Sequence, residues 1–306
     1  KSIKIRSNPI ATFDSAGDLT LADNGNYKGQ RLIMGRLSDS TQSQFNLLQA
    51  DTIDADELEL GTDTGSDKKS LDVHGSLRLK RLYLNQNSEL KLKSSSILEI
   101  DETVIIPDGG IMSLEGHAVF HDSLRVMGSE LMTISNGADV TITNELESDA
   151  VISGIDTIVK TPYVIGDIQV RDGAQIKINR IDGNLALTNT SHSPGQSPGF
   201  FYEDGIFDVS ENATINIEIE GNTPGETINL PDNGGYDQYH VSGDMIIHAS
   251  TTLNIMVSPN AGYIPVLNQE FIIQPKVVLY FSRSIAYTEI DEGKVYKIFG
   301  PQNNYF

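Results

Sequence analysis

The chain lacks cysteine and tryptophan altogether and is poor in basic residues. Small secreted domains need disulfides but long repetitive β folds do not, so the missing cysteine does not exclude an extracellular protein. No apolar run approaches the roughly 18 residues of a transmembrane helix, which predicts no membrane insertion by this segment. The 22 Lys and Arg against 42 Asp and Glu give a net charge of −20. Because nucleic acids and anionic membrane surfaces are bound by clustered Lys and Arg, we expect no nucleic-acid partner.

Short apolar segments recur at a spacing of eight residues through the middle of the chain. Pairs with a period of two are typical of a strand that turns one face inward. The members of this series are Leu82/Leu84, Leu90/Leu92, Leu98/Ile100, Ile106, Leu114, Ile134, Ile142, Ile168/Val170 and Ile176/Ile178. Strands and turns that alternate at a fixed step leave little room for helix. The series therefore predicts an all-β fold, a parallel β-helix or solenoid.

Turn compositions separate the predicted strands, as at Asp108-Gly109-Gly110 and Ser135-Asn136-Gly137. Gly and Asn accept a positive φ, and Asp and Ser hydrogen-bond their own backbone. Two or three strands per turn of the solenoid would give roughly 16 to 24 residues per coil. An antiparallel sandwich has turns at similar intervals of about 8 to 12 residues, so it remains an alternative.

Composition divides the chain into three predicted segments: an irregular N-terminal cap over 1–52, coils over 53–189, and C-terminal coils with a cap over 190–306. Eight of the 11 prolines lie beyond residue 190, and 15 of the 21 Phe and Tyr residues lie at or beyond Phe200. Terminal repeats need capping, so we expect most of these aromatic residues to close the end of the solenoid. A sugar-binding face has the same composition, and Tyr202, Tyr236 and Tyr239 are the predicted binding residues.

Three strand pairs begin at Gly166, Gly205 and Gly243, and each has apolar residues eight positions apart. The later two belong to a longer order of elements: Ser193-Pro194-Gly195 and Ser197-Pro198-Gly199, Glu218-Ile219-Glu220-Gly221, Tyr236-Asp237 through Val241 and Gly243, then Pro265 and Phe271. This order over about 190–275 resembles the C-terminal passenger regions of bacterial autotransporters and related large surface adhesins. The resemblance implies a right-handed parallel β-helix on an extracellular surface protein.

Candidate metal ligands are weak. Asp63 and Asp67 flank Thr64-Gly65-Ser66, which has oxygen ligands suited to calcium but lacks a full loop signature. The repeated Gly-Gly-x-Gly-x-Asp motif of calcium-binding solenoids is missing. His117 and His121 have the spacing of a helical zinc pair, yet their surroundings predict strand and turn. We therefore predict no cofactor, with calcium at Asp63 and Asp67 as the one alternative.

An enzyme is the second functional hypothesis, because polysaccharide lyases and hydrolases also use the parallel β-helix. Their reactions need paired carboxylates, or a base beside Lys or Arg, in a groove. Carboxylates on adjacent coils could meet in this way. Gly195-Gln196-Ser197-Pro198-Gly199 has the letters of a nucleophile elbow, but its proline lies in a turn-rich run where that motif needs strand and helix. We predict no catalytic residue.

The sequence thus predicts a non-enzymatic structural or adhesive protein, outside the cell or on a bacterial surface. Its expected partners are a surface glycan, a protein surface, or further copies of itself joined end to end through unpaired strand edges. The alternative is a β-helix polysaccharide lyase or hydrolase. Because the chain begins at Lys1 without Met, we expect a processed or excised piece.

Overall fold

A computed structural model describes residues 68–128, 131–194, 199–210, 212–221, 235–248 and 250–257 throughout. In the rest of the chain it describes 2–3, 10–13, 19–21, 26–34, 43–47, 52–61, 223–224, 270–274, 277–281, 286–290 and 294–298. These residues form strands and turns and no helix. The chain folds as two compact units, Lys1–Ile176 and Lys177–Phe306.

Unit 1 consists of parallel strands, and the nine-residue strands Asn26–Met34, Thr52–Leu60 and Ser76–Leu84 are among its first eight. These first eight are β1 (Ser2–Ile3), β2 (Ile10–Phe13), β3 (Leu19–Leu21), β4 (Asn26–Met34), β5 (Ser43–Leu47), β6 (Thr52–Leu60), β7 (Lys69–Val73) and β8 (Ser76–Leu84). Shorter strands follow: β9 (Ser88–Leu92), β10 (Ile97–Ile100), β11 (Val104–Ile106), β12 (Ile111–Leu114), β13 (His117–Phe120), β14 (Leu124–Val126), β15 (Met132–Ser135), β16 (Asp139–Ile142), β17 (Glu145–Glu147), β18 (Ala150–Ser153), β19 (Ile158–Lys160), β20 (Tyr163–Ile165) and β21 (Ile168–Arg171).

From β9 onward each coil of unit 1 contributes three strands, and each strand pairs in parallel with its counterparts in the coils before and after. One face contains β9, β12, β15, β18 and β21. The second contains β10, β13, β16 and β19, and the third contains β11, β14, β17 and β20. This is a parallel β-solenoid, as the apolar spacing predicts.

The inward columns of unit 1 are apolar and almost completely buried. Leu90, Leu98, Ile106, Leu114 and Ile134 all have 0% exposure. The eight-residue spacing is thus the step from one face of a coil to the next. Turns such as Asn136-Gly137, with φ of 58° and 80°, join the faces.

Coil length in unit 1 follows from the register of the ladders. In a late coil Ala150 lies beside Ile168, and in an early coil Phe45 lies beside Leu71. The second pair is farther apart in the sequence than the first. The early coils are therefore longer, although their strands keep the same parallel pairing.

Unit 2 contains β23 (Arg180–Asp182), β24 (Leu185–Thr188), β25 (Ser191–His192), β26 (Phe200–Asp204), β27 (Phe207–Val209), β28 (Thr214–Ile219), β29 (Thr223–Pro224), β30 (Gly235–Tyr236), β31 (Gln238–Val241), β32 (Met245–Ile247), β33 (Thr252–Val257), β34 (Glu270–Gln274), β35 (Val277–Phe281), β36 (Ala286–Ile290) and β37 (Lys294–Ile298). The remaining strand, β22 (Gln175–Lys177), includes the boundary between the units. Parallel ladders join β23, β26 and β31, then β24, β27 and β32, and then β25, β28 and β33. Strands β34 to β37 pair antiparallel.

One coil of unit 2 contains many more residues than the preceding coil, yet its strands keep their parallel pairing. It runs from Phe207 to Met245, which lie side by side, and the neighbouring pairs Asp208–Ile246 and Val209–Ile247 keep the same register. The preceding coil runs only from Leu185 to Phe207. Strands β27 and β32 therefore keep their pairing although the two coils differ in length.

Glycines that begin the repeated strand pairs stack closely in unit 2. A methyl group on Gly205 would overlap the carbonyl oxygen of Gly183, and one on Gly243 would overlap that of Gly205. The stack explains why the recurring units begin with glycine: successive coils approach too closely there for a Cβ atom. In unit 1, Gly166 has a φ of 129°, which also favours glycine.

The predicted segment boundaries at 52/53 and 189/190 stay predictions. Of the predicted N-terminal cap, the structure describes strands β1 to β5, and these pair in parallel like the coils that follow. The C-terminal cap falls largely on residues outside the described ranges. Among the described residues, no helix is long and apolar enough to cross a membrane.

Candidate functional site

Strand β26 presents a mixed aromatic and polar surface because its side chains alternate between core and solvent. Phe200, Tyr202 and Asp204 face outward, whereas Phe201 and Glu203 are buried. The register places Tyr202 between Arg180 of β23 and His240 of β31. We call the outward group the Tyr202 surface; its members are Arg180, Asp182, Phe200, Tyr202, Asp204, His240 and Ser242.

The guanidinium group of Arg180 packs against the ring of Tyr202. The Arg180 guanidinium carbon lies 4.8 Å from the ring centroid, a cation–π distance. Arg180 Nε and Nη2 also donate to the two carboxylate oxygens of Asp182, at 2.8 and 3.1 Å. A bidentate pair fixes the guanidinium plane, so Tyr202 has a defined orientation at the surface.

The other side chains of the surface add a second ring pair and hydrogen-bonding groups. The rings of Phe200 and His240 lie 4.6 Å apart and are tilted by 45°. Asp182 and Asp204 are neighbours in the ladder, and the Ser242 hydroxyl donates to Asp204 Oδ1 at 2.6 Å. The surface therefore combines aromatic carbon with carboxylate, hydroxyl and imidazole groups.

The three predicted binding tyrosines do not share one exposed surface. Tyr202 is partly exposed, whereas Tyr236 is 4% exposed and Tyr239 is completely buried. A ligand in solution thus meets Tyr202 but not the ring of Tyr239. The predicted binding role rests on Tyr202, and the other two tyrosines belong to the core.

A buried aromatic cluster lies on the inward side of these strands. The ring centroids of His192 and Phe201 are 4.9 Å apart, and the rings of Phe207 and Tyr239 stack at 5.5 Å. Tyr239 Oη and His192 Nδ1 share a hydrogen bond of 3.0 Å. Burial lowers the pKa of His192 to about 4, so its imidazole is neutral at physiological pH.

Two acidic residues, Glu203 and Asp237, are buried in the same unit, and only Asp237 belongs to a pattern noted in the sequence. Glu203 Oε1 accepts the Leu185 N–H at 2.9 Å, while Glu203 Oε2 has no hydrogen-bond partner among the described residues. Burial raises the pKa of Glu203 to about 8, so the protonated form prevails at neutral pH. Its chain neighbours Tyr202 and Asp204 face outward.

Asp237 joins three segments of unit 2 through its carboxylate. Oδ1 accepts the Gly199 N–H at 2.5 Å, and Oδ2 accepts the Glu218 N–H at 2.8 Å. Burial raises the pKa of Asp237 to about 7, although the two backbone N–H groups favour its ionised form. The residue acts as a buried cross-link.

The predicted calcium ligands Asp63 and Asp67 lie outside the described residues. Within the described part of the chain, no group of three or more His, Asp and Glu side chains is arranged to hold a metal ion. His117 lies on strand β13, and His121 follows it at a corner. Their nearest carboxylate oxygens are those of Asp139 at 3.7 Å and Glu99 at 3.1 Å. Both histidines therefore contact acidic neighbours on the surface.

Comparison of the chain with protein-family models, with curated proteins and with solved structures gives no match. A functional proposal must therefore rest on the Tyr202 surface and the solenoid that carries it.

Proposed function

We propose that the protein is a non-enzymatic, extracellular adhesive solenoid that binds a glycan at the Tyr202 surface. The observation that carries the proposal is the outward position of Tyr202 beside Arg180, with Asp182, Asp204 and Ser242 around it. Sugars present apolar C–H groups and many hydroxyls. An amphipathic aromatic ring flanked by charged acceptors and donors complements both.

The charge balance favours an uncharged glycan over an acidic one. The chain carries a net charge of −20, and the surface itself contains two carboxylates against one arginine that already pairs with Asp182. The carboxylates and the net negative charge would repel a polyanionic glycan. The hydroxyl groups of a neutral glycan donate hydrogen bonds to the carboxylate oxygens without this repulsion. A protein partner with exposed hydroxyl or amide groups is the second kind of ligand this surface fits.

An extracellular role is supported by the resemblance of about 190–275 to passenger and adhesin segments. Three elements of that resemblance meet at one group, because Asp237 accepts hydrogen bonds from Gly199 and Glu218. These elements lie 38 and 19 residues from Asp237 in the sequence. Their order along the chain thus has a structural use, which is to close this part of the solenoid.

A polysaccharide lyase or hydrolase is the alternative, and one observation favours it. Asp182 and Asp204 are in register on adjacent coils, where strands lie about 4.8 Å apart. Retaining glycosidases place two carboxyl groups about 5 to 5.5 Å apart. However, Arg180 neutralises Asp182 and the Ser242 hydroxyl bonds Asp204, so neither is set up as an isolated proton donor. We therefore place the binding function first.

The test is binding to an array of neutral and acidic glycans, with Tyr202→Ala compared with Tyr83→Ala. Tyr83 is an exposed tyrosine of unit 1, 44% exposed, so its replacement removes an equal ring from another surface. We expect Tyr202→Ala to weaken binding at least tenfold, the effect of about 1.4 kcal/mol, and Tyr83→Ala to leave it unchanged. Equal binding by both variants, or no binding to any glycan, would refute the proposal.

Incubation with the same glycans separates the enzyme from the adhesin. Release of reducing ends or unsaturated products by the wild type, and its loss in Asp182→Asn and Asp204→Asn, would establish the enzyme. Binding without product release is the result we expect.

A further inference from the structure

Two successive side chains face outward at one corner of several coils in unit 1. In β6 the residues Ala55 and Leu58 are buried, with two outward residues between them, and β8 repeats this with Leu79 and Leu82. We call the stacked outward pairs the corner column; its members are Gln30–Arg31, Asp56–Glu57, Lys80–Arg81 and Asp101–Glu102. The parallel register places each pair directly beside the pair of the next coil.

The charge of the corner column alternates from coil to coil. Arg31 Nε lies 3.5 Å from Glu57 Oε2, and Arg81 Nη1 lies 3.1 Å from Glu57 Oε1. Arg81 Nε then donates to Glu102 at 2.5 Å, and Lys80 Nζ pairs with Asp56 at 2.5 Å. Read along the column, the coils are basic, acidic, basic and acidic.

These ion pairs lie at the surface and surround a depression. Its volume is about 360 Å³, and its walls are Gln30, Arg31, Asp56, Glu57, Lys80 and Arg81. The side chains of Lys80 and Arg81 are 58% and 47% exposed, so each charge still has a solvent-facing side. A second molecule can reach both signs of charge here.

If two copies of the corner column run in opposite directions, each basic coil of one copy faces an acidic coil of the other. A twofold axis between the second and third coils would place Arg31 opposite Glu102 and Glu57 opposite Arg81, in both directions. We infer that the corner column is the surface at which two copies of this chain pair side by side and antiparallel. This differs from the predicted end-to-end stacking. It rests on unit 1 alone, so it stands or falls independently of glycan binding.

Charge balance selects this surface for contact between two copies. Each chain carries a net charge of −20, so most orientations of two copies are repulsive. The corner column has three basic and four acidic residues and is close to neutral. Four coils extend over only about 14 Å, so the contact area falls well short of the roughly 800 Å² per partner of a stable interface. The pairing is therefore weak and depends on concentration.

Salt should affect this pairing in two opposing ways. At about 10 mM salt the Debye length is about 30 Å, so the repulsion between whole chains dominates. At about 150 mM it is about 8 Å, which screens the whole-chain repulsion but not contacts of about 3 to 4 Å. At about 1 M the contacts are screened as well. Association should therefore be strongest near 150 mM and weaker at both extremes.

Charge reversal tests the pairing by sedimentation equilibrium of the full chain at high concentration. Glu57→Arg and Arg81→Glu each place like charges opposite one another at the centre of the antiparallel pair, so each variant alone should be monomeric. In an equimolar mixture of the two variants, each basic residue of one variant again faces an acidic residue of the other, so a heterodimer should form. The double variant Glu57→Arg/Arg81→Glu should self-associate like the wild type.

Controls separate the corner column from a general charge effect. Glu147→Arg and Arg125→Glu make the same changes in net charge at another surface ion pair of unit 1. These variants should associate like the wild type, and circular dichroism should show the same strand content throughout. The proposal is overturned if the wild type is monomeric at every salt concentration, or if the mixture of Glu57→Arg and Arg81→Glu stays monomeric.

Discussion

Asp237 Oδ1 lies 2.5 Å from the amide nitrogen of Gly199, a residue 38 positions earlier in the chain. The second oxygen of Asp237 accepts the N–H of Glu218 at 2.8 Å. One buried carboxylate thus satisfies two backbone donors on two separate segments, which would otherwise be desolvated without partners. The arrangement fixes the start of β26 and with it the Tyr202 surface.

Replacement of Asp237 by alanine should destabilise unit 2 strongly. Each buried N–H left without an acceptor costs about 1 to 3 kcal/mol, so we expect a loss of about 2 to 6 kcal/mol in the free energy of unfolding. Urea unfolding followed by the near-ultraviolet circular dichroism of the buried tyrosines measures it. Asp244→Ala, at an exposed aspartate of the same unit, should change little. A similar stability for both variants would show that Asp237 is no cross-link.

The contribution of Glu203 to the stability of unit 2 should fall as the pH rises from about 4.5 to about 8. Burial raises the pKa of Glu203 from an ordinary value of 4.5 to about 8. In this window the unfolded chain loses a proton that the folded chain keeps, so the contribution is complete below 4.5 and lost progressively up to 8. Each pKa unit corresponds to about 1.4 kcal/mol, so the loss amounts to a few kcal/mol.

Glu203→Gln tests this dependence because the amide keeps the acceptor for Leu185 and does not titrate in this range. The stability of the variant relative to the wild type should increase steadily between those two pH values, as measured by urea unfolding. A constant difference would mean that Glu203 is not the titrating group.

A methyl group at Gly205 should prevent the normal stacking of coils in unit 2. Alanine there would place a Cβ atom against the carbonyl oxygen of Gly183, which is backbone and cannot rotate away. Gly137→Ala is the control, because it has a φ of 80° but open space around the added methyl. We expect about 1 to 2 kcal/mol of destabilisation for the control and clearly more for Gly205→Ala in thermal unfolding. Equal losses would show that close packing against Gly183 does not explain the glycine at position 205.

The sequence could predict the solenoid because its inward positions are chemically uniform. Leu98 and Ile100, or Ile168 and Val170, are apolar residues separated by one polar neighbour, and all four are buried. The step of eight residues then indicates the passage from one face to the next. The eight-residue step does not reveal how many residues form a corner. The pairs Asp56–Glu57 and Lys80–Arg81 each lengthen a corner, and the ladder continues past them.

The candidate site was less predictable because strand β26 is aromatic on both faces. In Phe200-Phe201-Tyr202 either parity would bury an aromatic ring, so the sequence does not tell which one faces outward. Burial of Glu203 and His192 depends on partners in other coils, such as Leu185 at 18 residues and Tyr239 at 47 residues. A single sequence carries no local signal for such distant partners.

The long coil between Phe207 and Met245 shows that two strands of this solenoid stay in register although the chain between them is unusually long. The ladder needs only the inward residues and the backbone pairs of β27 and β32, which keep their register from one end of this coil to the other. Residues that lengthen a coil away from β27 and β32 therefore leave the pairing of these two strands intact.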